Sequence, residues 1–146
     1  MKYNSKIIIC LFLFLLVFSY ASAQEEYNPW ALRYLKQSIE ALVNGDYDEV
    51  IVQSNLVLRI DPNSSVSYTI RARAYFEKDD MERAIADCNQ AIRLDRNNLS
   101  AYSLRAHAYA RTGGLERAIS DWQAMLRIDP NNETARQNIE IAINNR

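Results

Sequence analysis

Residues Ser65 to Asn98 and Leu99 to Asn132 are two copies of one 34-residue unit, and this period constrains the chain more than any other feature. Tyr68, Arg71, Ala72, Tyr75, Ala84, Ile85, Asp87 and Asp95 recur unchanged as Tyr102, Arg105, Ala106, Tyr109, Ala118, Ile119, Asp121 and Asp129, and Ala91 returns as Met125. Residues 31–64 read as a looser copy. A unit this short buries its apolar face only against a neighbour, so the period predicts stacked supersecondary elements sharing one continuous core.

Within each unit the pattern alternates two helices. The expected spans are 30–43 with 47–60, 65–77 with 81–94 and 99–111 with 115–128, followed by a last helix at 133–144. Asn44-Gly45 and Gly113-Gly114 supply open backbone between the helices of a pair. Asp61-Pro62-Asn63 and Asp129-Pro130-Asn131 end the second helix, because a residue before proline is pushed out of helical geometry. In the middle copy Lys78-Asp79-Asp80 and Arg96 stand at these turns, which then rest on aspartate and asparagine. No strand-like alternation of useful length occurs.

The order of tyrosine, small residue, tyrosine, alanine, aromatic, alanine and Asp-Pro at this period resembles the tetratricopeptide repeat. The first small slot holds Ser38, Ala72 and Ala106, the second Val50, Ala84 and Ala118, the aromatic slot Ser54, Cys88 and Trp122, and the closing turn Pro62, Arg96 and Pro130. The resemblance runs from Ala31 to Asn132 and implies an all-α fold: a right-handed α-solenoid of three helix-turn-helix units, 31–64, 65–98 and 99–132, plus a C-terminal capping helix within 133–146. It also implies a protein-protein interaction module that acts as a scaffold. In the capping helix Ile139 and Ile143, spaced i to i+4, are expected to pack inward.

The first residues read differently. Met1 to Lys6 carries two lysines, Ile7 to Phe18 is an unbroken apolar run, and Ala21-Ser22-Ala23 offers small residues at a cleavage site. This predicts a secretory signal peptide over 1–23, cleaved before Gln24, with a short linker at 24–29. Spanning a bilayer takes roughly 20 apolar residues, more than the run supplies. The expected location is therefore secreted or periplasmic. Removing 1–23 leaves 15 of the 17 basic residues against all 18 acids, a net charge of −3, which argues against a nucleic-acid partner. Cys88 is then the only cysteine, unable to form an internal disulfide, and its helical position predicts burial.

Catalysis finds little support. His107 is the one histidine, no glycine-rich phosphate loop occurs, and Ser103 with His107 lacks a third residue and oxyanion donors. No metal, cofactor or enzymatic activity is expected. Arg71 with Asp87 and Arg105 with Asp121 occupy the seventh and twenty-third positions of their copies, where the first copy has Gln37 and Gln53. The two slots change together, which predicts structural ion pairs.

In the resembled family the inner face of the superhelix is lined by first-helix positions two, five, nine, twelve and thirteen. These are Val66, Thr69, Arg73, Phe76 and Glu77 in the second copy and Ser100, Ser103, His107, Ala110 and Arg111 in the third. The resemblance implies a groove that holds an extended peptide, with Thr69, Arg73, Phe76, Glu77, Ser103, His107 and Arg111 as its binding residues. Family members that grip a C-terminal carboxylate use lysine and asparagine where this chain has Leu35, Ile39, Thr69 and Ile70, so that clamp is not expected. In the first copy the same five positions are Leu32, Leu35, Ile39, Leu42 and Val43, all apolar, beside a second stripe of Trp30, Tyr34 and Ala41 meant for the core. Either the helix is shifted by one residue, or the stripe is an assembly face that meets a partner, a cell-envelope complex or a second copy.

Overall fold

The computed structural model describes residues 28–144, all helix and short turns. The leader expected at 1–23, residues 24–27 of the linker and the last two residues lie outside the described residues. The helices are α1 Pro29–Asn44, α2 Tyr47–Ile60, α3 Ser65–Glu77, α4 Met81–Leu94, α5 Leu99–Arg111, α6 Leu115–Ile128 and α7 Glu133–Asn144. Each falls within a residue of its expected span. No helix among the described residues is long and apolar enough to cross a membrane.

Local chemistry sets the ends. Asn28, Asp46, Ser64, Asp80 and Asn98 each accept a backbone N–H of the helix that follows, and Asn132 accepts from Ala135 N at 2.9 Å to start α7. Such caps satisfy donors that the first turn leaves without a partner. Gly114 starts α6 without one. The turns inside each pair pass through a left-handed residue, Gly45 at φ 76°, Gly113 at φ 78° and, in the middle copy, Asp79 at φ 63°.

The helices pair as α1 with α2, α3 with α4 and α5 with α6, each second helix also packs on the next first helix, and α7 closes the stack against α6. Small residues let the members of a pair approach: Ser38, Ala72 and Ala106 in the first helices, and Val50, Ala84 and Ala118 in the second, are all fully buried. A second small row joins one unit to the next. Ser67 with Ala74, Ala101 with Ala108, and Ala135 with Ala142 are buried on the first helices and face the preceding pair. At α1 the equivalent positions are Arg33 and Glu40, exposed to solvent. The first helices α1, α3 and α5 also touch in succession, whereas the second helices make no comparable contact, so the first helices line the inner curve.

Three expectations need correction or resolution. Ile143 does not pack inward: it is 53% exposed, and Ala135 and Ala142 take that role while Ile139 packs partly against the last core cluster. The reason is register, since α7 docks as the first helix of a further unit and turns its small residues towards α6. Trp30 is not core either; it lies 56% exposed and stacks on Tyr34 at 6.5 Å between ring centres, because it precedes the first buried position of α1, Ala31. Finally, α1 is not shifted: Ser38 is buried as Ala72 and Ala106 are, which leaves Leu32, Ile39 and Val43 in the open.

Candidate functional site

The inner surface is a trough whose walls are α3, α5 and α7. Arg73, Phe76, Ser100, Ser103 and His107 line an open depression of about 390 Å³, with Leu99, Leu104 and Met125 at its base and Asn132 and Thr134 on the far wall. Four of the seven residues expected in the groove, Arg73, Phe76, Ser103 and His107, are thus brought together. Asn132, Thr134 and Met125 were not foreseen, because they reach the trough only through the way α7 docks on α6.

The other three residues are committed elsewhere in whole or part. Thr69 turns its hydroxyl back to the Ser65 carbonyl at 2.9 Å and accepts from Asn98 Nδ2 at 3.0 Å. Asn98 also donates to Ser65 Oγ at 2.8 Å while capping α5, so this corner ties two units together. Glu77 accepts from Arg73 at 3.4 Å along one turn of α3. Arg111 reaches Asp79 at 2.7 Å and lies 5.0 Å over the Phe76 ring. Both groove arginines therefore have a carboxylate of their own chain.

His107 stands on the trough wall with Nδ1 2.7 Å from the Ser103 carbonyl. A carbonyl only accepts, so the ring donates from Nδ1. The partner is the backbone oxygen and not the Ser103 hydroxyl, an arrangement that fixes a ring without activating a nucleophile. Behind it the Trp122 ring meets the imidazole edge-on at 5.9 Å. Trp122 is nearly buried, and its Nε1 has no hydrogen-bond partner.

Beneath this surface lie the two arginine-aspartate pairs. Arg71 donates from Nε and Nη2 to both oxygens of Asp87 at 2.7 Å each, and Arg105 does the same to Asp121 at 2.9 and 2.6 Å. Each pair joins the two helices of one unit. The remaining guanidinium nitrogen crosses to the preceding unit, Arg71 to Asn55 and Arg105 to Asn89, both at 2.5 Å. The Asp87 bond raises the Arg71 pKa above its ordinary value. Burial, the largest single influence on Arg105, pulls its pKa down, but the Asp121 hydrogen bond together with the charges of Asp121, Tyr109 and Cys88 outweighs it and the pKa is raised. The forks are laid against Tyr68 and Tyr102 at 5.4 and 5.6 Å, so each also gains a cation–π contact. These are structural groups, bidentate and with their donors engaged within the stack. Asn55 and Asn89 were missed by sequence reasoning, yet both sit at the twenty-fifth position of their copies, with Gln123 in the third.

The apolar row of α1 continues the trough beyond α3. Leu32, Ile39 and Val43 are exposed, Leu35 and Leu42 half-buried, and Val66 at the start of α3 is exposed beside them. Among the described residues no group of three histidine, cysteine or acidic side chains is arranged to hold a metal ion. Cys88 is buried.

A family model described as TPR repeat matches residues 72–113. The first TPR domain of Spaghetti (RPAP3), solved bound to the HSP90 peptide SRMEEVD, is 32% identical and superposes with a TM-score of 0.75, covering 78% of this chain and 90% of that one. The second TPR domain of human RPAP3, in complex with the HSP70 peptide SGPTIEEVD, is 26% identical over 77% of this chain and 94% of that one, with a TM-score of 0.73. The TPR domain of Arabidopsis OM64, at 20% identity and a TM-score of 0.76 over 80% and 96% of the two chains, shares the fold. No curated protein matches this chain.

Proposed function

Because this chain belongs to the tetratricopeptide repeat family, we propose that it is an exported interaction module that holds an extended segment of a partner protein in its inner trough. The observation that carries this reading is the depression of about 390 Å³ between α3, α5 and α7, apolar at its base and polar at its rim. Such a surface takes a side chain at the base and the partner's backbone at the rim. Ser100, Ser103, Thr134, the Asn132 amide and the His107 ring supply polar groups there.

Of the solved structures named above, the first TPR domain of Spaghetti (RPAP3) and the second of human RPAP3 are bound to peptides ending in EEVD. In this chain Leu35, Ile39 and Ile70 stand where lysine and asparagine would grip a terminal carboxylate, and Arg73 and Arg111 are engaged with Glu77 and Asp79. The same fold is therefore proposed to take a partner chosen by apolar and neutral polar contacts and not by terminal charge. The acidic net balance of the processed chain agrees with a protein partner and not a nucleic acid. An apolar leader followed by Ala21-Ser22-Ala23 supports export to the periplasm or beyond the cell.

Affinity capture from the native compartment tests the proposal by comparing the unaltered protein with Phe76→Ala/His107→Ala and with Leu35→Glu. Loss of the partner only with the first pair supports the trough. Retention with the first pair and loss with Leu35→Glu would instead favour a second reading, a subunit of a cell-envelope complex assembled through the exposed row of α1.

A further inference from the structure

The first unit departs from the other two at one corner, where three substitutions fall together. In the second and third units a tyrosine of the first helix lies under an arginine of the second, Tyr75 with Arg83 and Tyr109 with Arg117, each guanidinium carbon 4.5 Å from the ring centre. One turn before the tyrosines, Arg71 and Arg105 hold Asp87 and Asp121. In the first unit the same slots carry Gln37, Ala41 and Glu49. The ring is thus reduced to a methyl group, one arginine to a neutral amide and the other to an acid.

The space so vacated stays open. Gln37, Glu40, Ala41 and Asn44 of α1, with Asp46 and Glu49 of α2, line a depression of about 270 Å³ that holds three carboxylates and no cation. Glu40 has an exposed pair with Lys36 at 3.7 Å, whereas among the described residues Asp46 and Glu49 have no ion-pair partner. Gln53, in the slot of Asp87, donates to Glu49 at 2.5 Å, and its own Oε1 is buried without a hydrogen-bond partner. Polar atoms in this corner therefore lack donors that the other two units supply from arginine.

We propose that this depression receives an arginine side chain of a partner protein. The second and third units show that the fold places a guanidinium here when the chain itself provides one; α2 provides an acid instead. A guanidinium is planar, with five donors in a fork, and serves two carboxylates at once, whereas an ammonium is a point charge with three donors. The methylene stem of an arginine suits the place over Ala41 that a tyrosine ring fills elsewhere. A metal ion is a poor match, because among the described residues no three acidic, histidine or cysteine side chains are arranged to hold one. The site belongs to α1 and α2, shares no lining residue with the trough and does not rest on the trough reading.

Backbone amide NMR shifts of the purified protein, titrated with the tripeptide acetyl-Gly-Arg-Gly-amide, test this. The expected result is a saturable shift of amides around Ala41 and Glu49 with a dissociation constant on the order of 1 mM, as suits charges in contact with water. Added salt should weaken it several-fold. The citrulline counterpart, alike in shape but uncharged, should leave the spectrum unchanged, and the lysine counterpart should bind more weakly. Glu49→Gln should weaken binding by about threefold or more, and Glu49→Arg should abolish it by filling the depression as the other two units do. Glu49 is exposed, so both variants are expected to keep their helical content. No saturable shift, equal binding of the citrulline or lysine tripeptide, or unchanged affinity in Glu49→Gln would overturn the proposal. Phe76→Ala/His107→Ala should bind the tripeptide as the unaltered protein does; loss of binding there would put the tripeptide in the trough and overturn the proposal too, while leaving the trough reading standing.

Discussion

Arg105 and Asp121 hold more of the third unit together than their size suggests. Asp121 is 5% exposed and both its oxygens accept from one guanidinium. Removing the arginine alone would leave a buried carboxylate without its counter-charge, which costs about 3–5 kcal/mol. The first copy offers a neutral alternative, Gln37 and Gln53. Arg105→Gln is therefore expected to destabilise by about 3 kcal/mol or more, while Arg105→Gln/Asp121→Gln recovers a large part of that loss. Chemical denaturation of the four proteins in this cycle measures it, and a double variant no better than the single one would refute the pairing as the source of stability. The asparagines at 55 and 89 extend the same logic between units.

Cys88 makes a second residue-scale prediction. Burial pushes its thiol up from the ordinary 9.0 to about 12. The folded state then keeps its proton where the unfolded chain has lost it, so unfolding is favoured as alkali rises. This contribution is complete below about pH 9 and disappears as pH climbs towards about 12. Unfolding midpoints taken at about pH 8 and pH 10.5 should separate further for the unaltered protein than for Cys88→Ala. Equal pH dependence in the two would show that the thiol plays no part.

Among the helices, α6 is the one with a weak start. Asp46 and Asp80 cap α2 and α4 from backbone conformations close to that of Gly114, which has φ −85° and ψ 51°. Asp80 also binds the guanidinium of Arg83, and Arg117 stands at the matching place in the third unit. A Cβ at Gly114 would sit 3.2 Å from the mobile end of Arg117 and 3.3 Å from the Tyr109 carbonyl, contacts that the other two units accommodate with aspartate. Gly114→Asp is expected to raise stability by about 1 kcal/mol, from the cap and from a stiffer unfolded chain. Thermal melts would measure the gain; a fall in midpoint would mean the Tyr109 contact cannot yield.

The helices themselves were legible in the sequence because their limits are set locally, by Asn-Gly, Asp-Pro and the capping aspartates and asparagines. So was the pairing of Arg71 with Asp87, since two slots that change together in one chain report a contact. What could not be read was set by neighbours. Ile139 and Ile143 have a sound i to i+4 spacing, yet α7 docks through Ala135 and Ala142, the small residues that let helices approach. Thr69 looked like a groove residue by position, but Asn98 engages its hydroxyl from the next unit. Asp79 accepts a left-handed backbone that glycine fills in the other copies and thereby comes to hold Arg111, a contact across 32 residues of chain.

Taken as a whole, the molecule is a short stack with two unlike ends and one inner surface. Among the described residues, exposed Arg33, Lys36 and Glu40 stand at one end, and α7 stands at the other, docked as a first helix of a further unit. Between them the trough changes character along its length, apolar over α1 and mixed over α5 and α7. The family accounts for the scaffold; these surface residues, different in each unit, are where a partner is selected. Position-specific photo-crosslinking in the native compartment tests this most directly, with a photoreactive residue placed at Ser103 on the trough wall or at Arg93 on an exposed outer position of α4. A discrete protein adduct is expected from position 103 and none from 93, reduced by Phe76→Ala. Adducts from 93 alone, or no adduct at 103 while the partner is still captured, would contradict it.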